Sequence, residues 1–157
     1  MDRAALDVSI RHQISHGGWC PPGREAEDGV IPARYELEET EVERSSYAPD
    51  IPRSMRTELN VKRSDGILIL TTAVQPYDRG TNWTIKVAAI YRKPILILNP
   101  EQKEESYRAI AWLRLNRIEV LNVAGPAESC APGIYSLTYA FLDSLIIDLK
   151  KVYSSGL

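Results

Sequence analysis

Asp65-Gly66-Ile67-Leu68-Ile69-Leu70 decides the fold. A turn at Asp65-Gly66 opens onto a continuous apolar run, Ile67 to Leu70. Alternation would mark a strand with one wet face, whereas an unbroken run predicts a parallel strand covered on both faces. Working outward, Pro94–Leu98 and Ile118–Val123 are further strands, the last ending in Ala124-Gly125-Pro126. Between and after them, Thr81–Tyr91, Ser106–Leu115 and Ile134–Val152 are predicted helices. Ile85, Ala88 and Ala89 share one face of the first, with Thr81 or Asn82 as its cap. Ile134, Leu137, Phe141, Leu145 and Leu149 form one stripe on the last. Strands alternating with helices imply right-handed crossovers and a sheet covered on both sides. The expectation is an α/β protein with a Rossmann-like three-layer α/β/α fold, a mostly parallel sheet, and a single domain over 1–157.

Upstream, helices are expected over Ala4–Ile14, with Asp2 near its start, and over Ser54–Arg63. Ser15–Trp19 reads as a short strand, and Cys20–Arg34 as an ordered surface loop rich in Pro and Gly. Tyr35–Glu43 reads as a short edge strand whose glutamates form a solvated face and protect the edge. Ser45–Arg53 and Thr71–Gly80 are loops.

The 157 residues carry a formal net charge of −2, which argues against nucleic acid as the main partner. Cys20 and Cys130 are far apart and form neither a disulfide framework nor a metal-ligand repeat. No run approaches the roughly 18 apolar residues of a membrane helix. Met1–Asp7 carries charge where a signal peptide is apolar. The expected location is the cytoplasm, with no membrane partner.

In open α/β sheets, ligands bind beyond the carboxyl ends of the strands. That rule selects Gly17–Arg24, Thr71–Thr81, Asn99–Pro100 and Ala124–Ser129. Arg79-Gly80-Thr81 lies between a strand and a helix start, where glycine admits a phosphate and the helix offers free N–H groups. An ordinary helix cap is the simpler account of these residues alone. His16 and Cys20 are close enough in sequence to suggest a thiolate with its base. A rigid Gly/Pro loop with Trp19 packed as a lid explains the same stretch. Glu27 and Asp28 are candidates for acid/base work, against a solvated loop face. Asp65 either faces the strand-end crevice or serves the turn before Gly66. No nucleophile elbow, Gly-Lys-Ser/Thr phosphate loop, zinc-protease helix or kinase signature is present.

Taken together, several pieces resemble the putative molybdenum carrier family, a Rossmann-like group related to the DprA/Lonely-Guy-type nucleotide-binding superfamily. They are Asp2-Arg3-Ala4-Ala5-Leu6-Asp7, His16-Gly17-Gly18-Trp19-Cys20-Pro21 with Gly23-Arg24, Glu27-Asp28-Gly29, Ile31-Pro32 and Tyr35. Thr57 with Asn60-Val61, Ser64-Asp65-Gly66, Gly80-Thr81 with Thr84, Lys93-Pro94 and Leu121–Pro126 complete the set. The resemblance implies a strand and a glycine-rich turn before the first helix, at the place where Met1 stands. By that comparison a central strand and a phosphate-binding loop would be missing. The family's usual Gly-Gly-Thr is Arg79-Gly80-Thr81 here. Related phosphoribohydrolases place a glutamate three residues after the Gly-Thr pair, where this chain has Thr84.

The resemblance implies a non-catalytic carrier or sensor of a phosphate-bearing small molecule: molybdenum cofactor, or failing that a nucleotide. The candidate contacts are Arg3, Gly17, Gly18, Trp19, Arg24, Gly80, Thr81, Gly125 and Pro126. Glycines would let phosphate approach, arginines would neutralise it, and Trp19 would stack on a flat ring. No catalytic residue and no metal ligand is assigned. Self-association into an oligomer is expected from the habits of the fold. The alternatives are a nucleotide N-glycosidase or phosphohydrolase using Glu27 or Asp28, and a protein interaction domain.

Overall fold

The structure, a computed structural model, describes residues 2–72 and 77–154. Its centre is a parallel sheet of three strands, β5 (Gly66–Leu70), β6 (Ile95–Leu98) and β7 (Leu121–Ala124), in the order β6-β5-β7. The strand that was legible as an unbroken apolar run is thus the middle one. All five of its residues are buried, because it has a neighbour on each edge and helices on each face.

The two faces separate by the period-two geometry of a strand. Leu68 and Leu70 point into a cluster with Val8, Leu98, Ile110, Phe141 and Leu145. Apart from Leu98 of β6, these come from α1 (Asp2–Arg11), α4 (Glu105–Leu115) and α5 (Ile134–Ser154). Ile67 and Ile69 point the other way, onto Val61, Trp83, Val87 and Ala88 of α2 (Ser54–Arg63) and α3 (Arg79–Ile90). The expected Rossmann-like α/β/α layering is therefore what the chain forms. Ile134, Phe141 and Leu145 of the α5 stripe are buried, with Leu149 packed against the same cluster.

At the amino end of β5, Asp65 has the turn role. Its Oδ2 accepts from the backbone N–H groups of Glu119 and Val120, fixing the chain just before β7. Gly66 is required there by packing: a Cβ would come within 2.6 Å of Ile118 Cδ1 and 2.9 Å of Trp112 Cη2.

Several boundaries differ from expectation, each for a local reason. Helix α3 begins at Arg79, capped by Asp78 rather than by Thr81 or Asn82. Its carboxylate accepts from Gly80 N and Thr81 N and from the Thr81 hydroxyl, satisfying N–H groups the helix leaves free. The strand expected over Ser15–Trp19 is only β1 (Trp19–Cys20), and that expected over Tyr35–Glu43 is only β4 (Glu38–Glu39), paired with it in parallel. Tyr35 lies in no strand and is 1% exposed, held by a polar network described below. The Gly/Pro-rich segment Cys20–Arg34 contains a 3-10 turn, Pro22–Arg24, and a small hairpin of β2 (Glu25–Ala26) and β3 (Gly29–Val30). Part of the expected loop Thr71–Gly80, residues 73–76, lies outside the described residues.

Because both layers close on β5, its truncation should be felt through the whole domain. Leu68→Ala should lower the unfolding free energy by about 2–5 kcal/mol in a urea titration, as for other fully buried leucines. A loss below about 1 kcal/mol would mean that this face is not tightly packed.

Candidate functional site

The strand order brings two of the expected strand-end segments, Thr71–Thr81 and Ala124–Ser129, to neighbouring strands. After β5 the chain passes to α3 on one face, and after β7 it passes to α5 on the other. Since β5 and β7 are neighbours, the helices that follow them leave the carboxyl end of the sheet on opposite faces, which makes this end of the sheet a candidate crevice. Such topological switch points are where open α/β sheets take ligands. The loop from β5 leads to Asp78, Gly80 and Thr81, and the loop from β7 carries Gly125, buried Pro126 and Ser129.

Arg3 approaches from the first turn of α1, which packs against β7 and α5. Its Nη1 donates to Asp28 Oδ2 at 2.5 Å, across the hairpin tip. Its Nη2 is buried with no hydrogen-bond partner. A guanidinium N–H kept from water without an acceptor costs free energy, and so marks a place where an acceptor is wanted. The adjacent Glu27 accepts from the Ser129 hydroxyl in the loop after β7. The hairpin therefore reaches across from α1 to the β7–α5 loop.

Gly17, Gly18 and Arg24 form a second neighbourhood. They line an open hollow of about 570 Å³ together with His16, Tyr35 and Glu36. The structure gives these residues architectural work. Arg24 donates from Nε to Ile31 O, from Nη1 to Leu37 O, and from Nη2 to Pro32 O and Tyr35 O, each at 3.0 Å. Its guanidinium is thus the knot that closes the loop on itself. Asn60 pairs with the Trp19 backbone, accepting from its N–H at 2.8 Å and donating to its carbonyl at 3.1 Å. It acts as a neighbouring strand would. Gly18 has φ +129, and a Cβ there would sit 2.7 Å from Asn60 Oδ1, so only glycine allows the clamp. The Trp19 ring carries the Arg63 guanidinium at 5.5 Å from its centroid, a cation–π contact rather than a free stacking surface. Arg63 ends α2, the helix that feeds β5, so Trp19 lies nearer the start of β5 than the crevice.

His16 and Cys20 are not hydrogen-bonded to each other. His16 Nδ1 faces Ile14 O, and its Nε2 is buried without a partner. Burial pushes the Cys20 thiol up from its ordinary pKa, the opposite of what a reactive thiolate needs. Among the described residues, no group of three or more His, Cys, Asp or Glu side chains is placed to hold a metal ion. Nor, among them, is any helix long and apolar enough to cross a membrane.

Sequence reasoning did not assign roles to Asp7 or Tyr135. Asp7 Oδ1 accepts from Tyr35 Oη at 2.8 Å, and its Oδ2 from Tyr135 Oη at 2.7 Å. Arg34 Nη2 donates to Tyr35 Oη at 2.7 Å and stacks over the Tyr35 ring. This network joins α1, the loop after the hairpin and the start of α5. No local pattern reveals it, because its members are far apart in sequence.

The comparisons with known proteins agree with this architecture. The model of the circularly permutated YpsA SLOG family matches residues 1–146. The chain belongs to that family. It is also similar to a solved structure, the putative molybdenum carrier protein from Syntrophus aciditrophicus SB. The two chains are 37% identical, with a TM-score of 0.80 over 92% of this chain and 87% of the other. No curated protein matches. The expected resemblance to molybdenum carriers is thus shown, on a SLOG-family chain.

The tyrosine network makes stability depend on alkaline pH. Burial and then its bond to Asp7 push the Tyr135 hydroxyl from 10.0 up to about 12. A phenol whose folded pKa is raised adds stability below its unfolded value and loses it as pH climbs toward the folded one. Unfolding free energy should therefore fall between pH 10 and about 12, and less steeply in Tyr135→Phe. Identical slopes in the two proteins would place Tyr135 outside the network.

Proposed function

We propose that the chain is a carrier or sensor that binds a phosphate-bearing small molecule in the crevice between the β5 and β7 loops and releases it unchanged. One observation carries the reading: neighbouring parallel strands are followed by helices on opposite faces, and Arg3, linked through the hairpin to the loop after β7, holds a buried, unsatisfied guanidinium N–H. A phosphate monoester supplies both the negative charge and the acceptor lone pairs that this group lacks. In the loop after β7, the Ser129 hydroxyl is a neutral donor whose present acceptor is Glu27.

By analogy with the Syntrophus relative named a putative molybdenum carrier, the cargo is molybdenum cofactor, a pterin with a terminal phosphate. A nucleotide offers the same phosphate chemistry and is the second ligand class. Gly80 and Thr81 contribute less directly than their sequence suggests, because the Asp78 carboxylate already occupies their N–H groups. Thr84 bonds back to the Gly80 carbonyl at 3.1 Å and presents no carboxylate to a ribosyl centre. Gly17, Gly18, Trp19 and Arg24 support the site from outside, by fixing the loop from which the hairpin springs.

Thermal denaturation with molybdopterin, AMP, ADP, NAD, ribose 5-phosphate and molybdate tests the proposal. A true ligand at 100 times its dissociation constant should add about 2.7 kcal/mol and visibly raise the midpoint. Molybdopterin should do so, should be recovered unaltered, and should fail with Arg3→Gln. Stabilisation by none of the phosphate compounds would contradict the proposal. Release of free base from a nucleotide would show an enzyme instead.

A further inference from the structure

The hairpin Glu25–Val30 has a firm base and a loosely held tip. At the base, Arg24 ties down the carbonyls of Ile31, Pro32, Tyr35 and Leu37. At the tip, Gly29 has φ +112 with nothing within 4 Å of a Cβ position, and Val30 is 72% exposed. No apolar burial holds such a tip. Its side-chain ties to the rest of the fold are two carboxylates: Asp28 on the Arg3 guanidinium and Glu27 on the Ser129 hydroxyl. Arg3 stands in the first turn of α1 and Ser129 in the loop after β7.

These contacts are weak in a specific sense. The Asp28 side chain is 65% exposed, and ion pairs so open to solvent contribute little net stability. A carboxylate also fills only one of the two outer nitrogens of Arg3, the other remaining buried and unpartnered. A phosphoryl group carries more charge and more acceptor oxygens, and can engage both nitrogens at once. Exchange of one anion for the other is therefore favoured at this guanidinium.

We propose that the hairpin is a displaceable strap. Asp28 and Glu27 occupy Arg3 and Ser129 while the crevice is free, and a phosphoryl anion takes their place and releases the tip. The inference rests on the phosphate-binding reading above and adds a self-competing anion to it. The carboxylates at Glu27 and Asp28 then serve neither acid/base chemistry nor mere solvation. They set the affinity threshold at which ligand is accepted, and they couple binding to a change in the surface that the hairpin presents.

The test uses inorganic pyrophosphate as probe, on the full chain and on Asp28→Asn, Glu27→Gln and, as a control in the same hairpin, Glu25→Gln. Binding is read by calorimetry and strap opening by amide hydrogen exchange over residues 26–30. Removing the competing charge should tighten pyrophosphate binding by about two- to fivefold in Asp28→Asn, the range an exposed ion pair supplies. Glu25→Gln should leave affinity unchanged. Exchange over residues 26–30 should rise when the unaltered chain binds, and Asp28→Asn should show part of that rise without ligand. Binding with unchanged affinity in Asp28→Asn, or with slower exchange at the tip, would overturn the strap and leave the phosphate site standing. No binding to any variant would overturn both.

Discussion

The structure depends on the burial of β5 from both sides. Five consecutive residues, Gly66 to Leu70, have no solvent face, so every neighbouring element is obliged to cover them. Two leucines demand α1, α4 and α5, and two isoleucines demand α2 and α3. Fully burying one such side chain is worth roughly 1.5–3 kcal/mol, and the contributions lie on both faces of one strand. The same constraint creates the crevice. A central strand with parallel neighbours on both edges must reverse the direction of winding, and here α3, which follows β5, lies on the face opposite α4 and α5, which follow β6 and β7.

Charge then works at the rim of this scaffold. Acidic side chains occupy positions that an anionic ligand would favour: Asp78 on the N–H groups of α3, and Asp28 on Arg3. The two differ in kind. The Asp78 carboxylate is part of the helix start and bonds to two N–H groups and a hydroxyl. The Asp28 carboxylate sits on an exposed hairpin tip and makes one ion pair. A helix cap of that sort is structural, whereas a single exposed pair is exchangeable. This asymmetry moves the centre of the proposed site from the Gly80-Thr81 pair toward Arg3 and the loop after β7.

What could be read from the sequence follows the range of the interactions involved. The apolar run of β5 is a local signal, and the expected bounds of α2, Ser54–Arg63, agree with those observed. The start of α3 was misplaced by two residues because Asp78, rather than a hydroxyl residue, caps it. The strand around Trp19 is shorter than expected, and on its other side a side chain, Asn60, bonds its backbone in place of a second strand. The function of Arg24 was not legible at all. An arginine among glycines suggests an anion site, and only folding brings four carbonyls around it. Glycines mislead in the same way: Gly18 is needed for its approach to Asn60 rather than for a ligand. The crevice itself depends on strand order, which no local pattern encodes.

The central claim is that ligand enters at the β5/β7 switch point, and mapping amide resonances during a titration with molybdopterin tests it most directly. The largest shifts are expected at Arg3, Gly125 and Ser129, with Gly18 and Trp19 nearly still. Shifts concentrated at Gly17, Gly18 and Glu36 would put the ligand in the hollow beside Arg24 and contradict the account.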